Sequence, residues 1–198
     1  MMLEYDRSEP AVAAHVRAQG PGGETLKFES IIAVFKALDD AGVRFLVAGG
    51  VAVNLHGYAR MTQDLDLVVE LSPENAHAAM RALAGLGYRP RVPVSIESFA
   101  DPAQRRNWIE NKHMQVFPLF SDTCPETNID VFVTEPFIFD EEYQGADRYT
   151  LQPGVVVRTV TPETLISMKR IADRDRDRDD IKHLQWIIEE RLKEKDDD

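Results

Sequence analysis

"AGGVAVNLHGYARMTQDLDLVVE", residues 48–70, sets two adjacent glycines before a short apolar segment and then places Asp64 and Asp66, one residue apart, in a run of leucine and valine. Side chains alternate along a strand, so residues two apart share a face. Asp64 and Asp66 therefore point one way while Leu65 and Leu67 point the other. Two carboxylates this close repel, and burying them is costly unless a cation sits between them. Oxygen donors without a nearby thiol or imidazole suit Mg2+ or Mn2+, which leave coordination positions for phosphate oxygens. His15, His56, His77, His113 and His183 form no ligand-spaced cluster, which argues against zinc.

Gly49 and Gly50 fall where a strand gives way to a short helix over Val51 to His56. At such a junction, free backbone N–H groups and the helix dipole attract an anion, and the absence of Cβ atoms lets a phosphate approach closely. A phosphate cradle followed by a carboxylate pair suits a nucleoside triphosphate with its metal.

The surrounding chain supplies the frame. Its 198 residues, 43% of them hydrophobic, are enough for one globular core. A formal net charge of -11 excludes the global basic field of a protein that coats nucleic acid, and leaves room for a local basic face from Arg89, Arg91, Arg105, Arg106 and Lys112. Cys124 is the only cysteine, no apolar run is long enough to span a bilayer, and the N-terminal stretch lacks signal-peptide features. These point to a cytoplasmic address with no membrane partner.

Residues 1–24 end in a glycine-rich turn and read as a mobile extension. The spacing Phe28, Ile31, Ile32, Phe35, Leu38 predicts a helix closed near Gly42. "RFLVAGG" and "DLDLVVE" read as strands. Ser72 and Pro73 start a helix that Gly85 or Gly87 ends. "HMQVFPLF", "NIDVFVT" and "GVVVRTV" add strands, Thr161 and Pro162 open another helix, and "DDIKHLQWIIEERLKEK" forms a last amphipathic one. The expectation is an α/β (α+β) core over 25–160, with a mixed sheet and helices on one side, and a C-terminal helical pair over 161–198 closing the cleft.

The spacing of "GG", thirteen residues and "DLD" resembles the signature of the nucleotidyltransferase superfamily to which DNA polymerase beta belongs, over about Phe28 to Lys193. The resemblance implies the nucleotidyltransferase fold and a third carboxylate, which "NIDVFV" supplies as Asp130. "RMTQDLDL" is similar to the R-x-T-x-D-x-D form of small bacterial members, including abortive-infection type toxins of type IV toxin-antitoxin pairs. Their later pattern, a helical lysine and then R-x-K-D-x-x-D-I, is similar to Lys169 with "RDRDRDDI" at Arg174 to Ile181; Arg176 stands where that pattern has lysine, and Gly50 where many members have serine. By this resemblance Asp64, Asp66 and Asp130 are the metal-binding and catalytic trio. Gly49, Gly50, Arg60, Thr62 and Lys169 flank the triphosphate, and a cognate antitoxin is implied.

Each of these residues also has a structural reading. Arg60 and Thr62 can serve simply to hold the turn before the strand. Lys169 and the run "DRDRDRDD" are ordinarily solvated, and Trp108 and Trp186 are core or surface residues. His56 and Tyr58 border the site, within reach of a base. The expected reaction is attack of an acceptor hydroxyl on the α-phosphorus of a nucleoside triphosphate, with release of pyrophosphate. Three readings of the target remain: a macromolecular hydroxyl on tRNA or protein, a small hydroxylated antibiotic, or no acceptor at all in a non-catalytic nucleotide-binding partner.

Overall fold

The computed structural model describes residues 27–196, with side chains to Glu194; the expected extension over 1–24 lies outside them. Seven strands form one mixed sheet in the order β3-β4-β5-β2-β1-β7-β6. They are β1 (Phe45–Val47), β2 (Asp64–Val69), β3 (Tyr88–Pro90), β4 (Val116–Ser121), β5 (Asn128–Phe132), β6 (Asp147–Gln152) and β7 (Val155–Thr159). The helices are α1 (Phe28–Asp40), α2 (Gly49–His56), α3 (Pro73–Gly85), α4 (Pro102–Lys112), α5 (Phe139–Gly145), α6 (Pro162–Ala172) and α7 (Asp175–Asp196).

The centre of the sheet positions the site. β2 runs antiparallel to β1, with Val47 opposite Leu67, and parallel to β5, with Asp66 opposite Asp130 and Asp64 opposite Asn128. On both β2 and β5 the aspartates are only partly covered while Leu65, Leu67, Ile129 and Val131 are fully buried. One face thus carries the core and the other the carboxylates. Phe35 of α1 stacks on Phe45, with ring centroids 5.9 Å apart, and Trp108 of α4 stacks on Phe117 of β4 at 5.1 Å. Burying aromatic surface of this size against the sheet contributes to its stability.

Helix starts follow the expected chemistry. Ser72 Oγ accepts from Asn75 N–H and Thr161 Oγ1 from Thr164 N–H, each ahead of a proline at the first helical position. The same device, Asp101 accepting from Ala103 N–H before Pro102, opens α4, which periodicity does not predict because its sequence "PAQRRNWIENK" shows no clear apolar stripe. β3, α5 and β6 also lie outside the sequence expectation. They are short, and an apolar pattern of three to seven residues is ambiguous. α7 begins at Asp175, so the acidic-basic run belongs to the helix itself.

Candidate functional site

β1 ends at Val47, and the next residue, Ala48, donates its N–H to Asp66 C=O at 2.9 Å before the chain turns into α2 through Gly49 at φ +59°. A Cβ on Gly49 would lie 1.8 Å from Asp66 Oδ2, and one on Gly50 would lie 2.3 Å from Thr62 Oγ1 and 3.0 Å from Arg60 Nη1. The two glycines are therefore required by close approach, and Gly49 also by its left-handed backbone. The loop that returns to β2 is clamped by buried Asn54: Arg60 N–H donates to Asn54 Oδ1 at 3.0 Å, and Asn54 Nδ2 donates to Arg60 C=O at 2.9 Å. Nothing in the sequence pattern singles out Asn54.

Asp64, Asp66, Asp130, Gly49, Gly50, Arg60, Thr62 and Lys169 all line one cleft of about 450 Å³. Burial, with Asp130 and then Asp64 alongside, pushes the Asp66 carboxyl up to about 7, and Lys169 and Arg174 only partly offset this. Asp130 is likewise raised, by burial and then by Asp64, against the easing influence of Arg174 and Arg91. Among the described residues, no group of three or more His, Cys, Asp or Glu is placed to hold a metal ion as it stands. The three carboxylates line one cleft. Their chemistry, oxygen donors only and more easily ionised next to a cation, fits a hard divalent ion.

Beside the trio lies a second charged cluster of opposite character. Arg60 grips Asp180 with two bonds, Nε to Oδ1 at 2.6 Å and Nη2 to Oδ2 at 2.8 Å. Lys169 Nζ donates to Asp180 Oδ2 at 2.6 Å and to Asp177 Oδ1 at 3.4 Å. Burial raises the Asp180 carboxyl, but the bonds from Arg60 and Lys169 outweigh it and hold the group below its ordinary range. Asp180 is 1% exposed, and Asp177 and Lys169 are buried with it. The expectation of a solvated charge run thus fails for Asp177 and Asp180, and Lys169, expected at the triphosphate, is buried against them, which rules out its alternative reading as a solvated lysine. On a helix these aspartates fall three residues apart and share the face that meets α6.

A cleft of this composition has a counterpart among known families. The family model described as nucleotidyl transferase AbiEii toxin, type IV toxin-antitoxin system, matches residues 33–185. The chain belongs to that family. It is a nucleotidyltransferase, and its mixed sheet is the fold expected of an AbiEii member. The lincomycin-bound lincosamide antibiotic adenylyltransferase LnuA superposes with a TM-score of 0.57, covering 82% of this chain and 99% of its own at 13% identity. An antigenic nucleotidyltransferase-like protein from Paracoccidioides brasiliensis covers 80% of this chain and 77% of its own, at 20% identity and a TM-score of 0.46. No protein of curated function matches the sequence.

Other sequence expectations are redistributed in this AbiEii family member. His56 and Tyr58 do not line the cleft. His56 is buried at the far end of α2, with Nε2 against Val160 C=O and Nδ1 against Tyr149 Oη, both at 2.8 Å. Tyr58 donates to Asp179 and stacks on His183, with centroids 3.6 Å apart. Arg105 is buried and donates to Phe99 C=O and Leu71 C=O, so it is no part of a basic face. Arg89 pairs with Asp122, and Arg91 donates to Asn128 Oδ1. Trp108 is in the core, and Trp186 is half exposed. Among the described residues no helix is long and apolar enough to cross a membrane.

Proposed function

We propose that the chain transfers a nucleoside monophosphate from a nucleoside triphosphate to a hydroxyl of a macromolecular acceptor, tRNA or protein, in a divalent-metal-dependent reaction in the cytoplasm, under control of a cognate antitoxin. The observation that carries the reading is the three-carboxylate face, Asp64 and Asp66 on β2 with Asp130 in register on β5, beside the glycine turn. The toxin family supports the macromolecular target and the antitoxin.

In this scheme Asp64, Asp66 and Asp130 hold Mg2+ or Mn2+, which when bound neutralises charge on the triphosphate and on the departing pyrophosphate. The backbone of Gly49 and Gly50 receives the phosphates, and Arg60, Thr62 and Lys169 form the wall beside them. The acceptor oxygen bonds to the α-phosphorus as the bond to the bridging oxygen breaks, and pyrophosphate leaves with that electron pair. Asp130 takes the acceptor's proton. Catalysis is then mainly orientation and charge neutralisation.

The test is incubation with each α-labelled nucleoside triphosphate and Mg2+, in separate arms containing total RNA, soluble protein or lincomycin. Label in RNA or protein supports the macromolecular reading. Label on lincomycin alone moves the chain to small-molecule transfer, the class of reaction carried out by a lincosamide adenylyltransferase such as LnuA.

A further inference from the structure

Among the described residues, four cations line the cleft: Arg60, Lys169, Arg174 and Arg176. Two of them are already neutralised. Arg60 and Lys169 share Asp180, and Lys169 also meets Asp177. An incoming polyanion would have to displace short bonds to a buried carboxylate to recruit either, and their field is cancelled at close range by their own partners. Arg174 and Arg176 differ. Both are exposed on the cleft wall, and neither guanidinium makes a hydrogen bond or salt bridge among the described residues.

Their position is nonetheless fixed. The chain leaves α6 through Asp173, in the left-handed region at φ +45°, whose N–H donates to Lys169 C=O at 2.9 Å. The next N–H, that of Arg174, donates to Asp177 Oδ2 at 3.0 Å. The same Asp177 that receives Lys169 thus anchors the backbone carrying the two free arginines. Arg174 lines the same cleft as Asp66 and Asp130. The elbow between α6 and α7 therefore places on the carboxylate-lined cleft two guanidiniums that are unpaired among the described residues.

We infer that Arg174 and Arg176 are the principal phosphate-binding cations of this cleft and take the β- and γ-phosphates of the nucleoside triphosphate. The inference rests on the nucleotidyl-transfer reading and adds two residues to it. A triphosphate approaching three carboxylates meets repulsion, and only a cation whose charge is not already matched can offset it. Guanidinium groups suit the task because their forked donors match phosphate oxygens in pairs. Exposed side chains also reorient onto a ligand without breaking a buried bond. The paired Lys169 and Arg60 then serve to hold α7, and with it the elbow, against the loop before β2.

The experiment measures equilibrium binding of ATP, GTP, CTP and UTP, each with Mg2+, and displacement of the bound nucleotide by inorganic tripolyphosphate. The proteins are wild type, Arg174→Ala, Arg176→Ala, the double variant, Arg176→Lys and, as an exposed control outside the cleft, Lys182→Ala. Each alanine at 174 or 176 should weaken nucleotide binding roughly tenfold and weaken tripolyphosphate displacement in parallel, with an unchanged melting temperature. Arg176→Lys should bind more tightly than Arg176→Ala but more weakly than the wild type, because it keeps the charge and loses the forked donors, and Lys182→Ala should retain full affinity. A folded double variant with wild-type nucleotide affinity would overturn the inference. Failure of the wild type to bind any of the four nucleotides would instead remove the nucleotide reading itself.

Discussion

Two clusters of charge share one cleft and obey opposite rules. Around Asp180, two cations and two anions are packed together and bonded, so each charge has its counterpart within about hydrogen-bond reach. Across the cleft, Asp64, Asp66 and Asp130 are gathered by strand register with no cation bonded to any of them among the described residues. The first cluster is complete in the folded chain and ties α6 and α7 to the loop before β2. The second is incomplete, and burial raises the cost of that incompleteness. Uncompensated charge on an otherwise well-packed sheet is what the proposed ligand site requires of the chain.

The contrast is broken most forcefully at Asp180. Asp180→Ala leaves Arg60 and Lys169 without their shared partner, and should cost about 3–5 kcal/mol in urea unfolding. An unchanged midpoint would show that the paired cluster is not structural. Asp130→Asn should do the reverse, leaving stability and nucleotide binding nearly intact while transfer of label falls at least about a hundredfold. Wild-type transfer by the folded variant would remove Asp130 from the chemistry. A smaller effect separates geometry from charge. Gly49→Ala should cost about 1–3 kcal/mol for its left-handed backbone and should also displace Asp66 and weaken nucleotide binding. Gly57→Ala, at φ +118° with nothing within 4 Å of the added Cβ, should show the strain alone. Equal nucleotide affinity in the two variants would mean that close packing of Gly49 on Asp66 has no part in binding.

The unpaired cluster is the more legible of the two from sequence. Asp64 and Asp66 declare themselves because period-two alternation gathers two acids on one face of an otherwise apolar strand, and Asp130 repeats the pattern in "NIDVFV". Gly49 and Gly50 are legible because no other residue tolerates so close an approach. The paired cluster is not. A lone Lys169 and a run of alternating charge look like solvent-facing residues until the fold brings α7 against α6, and contacts eleven residues apart within a helical pair leave no local periodic trace. The same limit hides Asn54, whose clamp on Arg60 depends on a loop geometry that no pattern encodes. His56 is misplaced for the opposite reason, since nearness to the glycine turn in sequence puts it at the other end of α2 in space. β3, α5 and β6 are held by neighbours rather than by their own periodicity, so tertiary context decides them.

The most direct measurement compares melting of the wild type and Asp66→Asn across pH, with and without Mn2+ and a non-hydrolysable nucleoside triphosphate. Asp66 rises from an ordinary 3.8 to about 7 in the folded chain. A group raised by folding contributes stability that is fully present below its unfolded pKa and lost as pH climbs through the folded one. The metal-free wild type should therefore match Asp66→Asn near pH 4, then fall progressively below it between pH 4 and 7, reaching a deficit on the order of 1–3 kcal/mol above that window. Metal with nucleotide should close or invert the gap above pH 7 by binding the ionised wild-type cluster, and should have little effect near pH 4. Parallel melting curves at every pH, unmoved by metal and nucleotide, would contradict the proposal that this carboxylate cluster binds a divalent cation together with nucleotide.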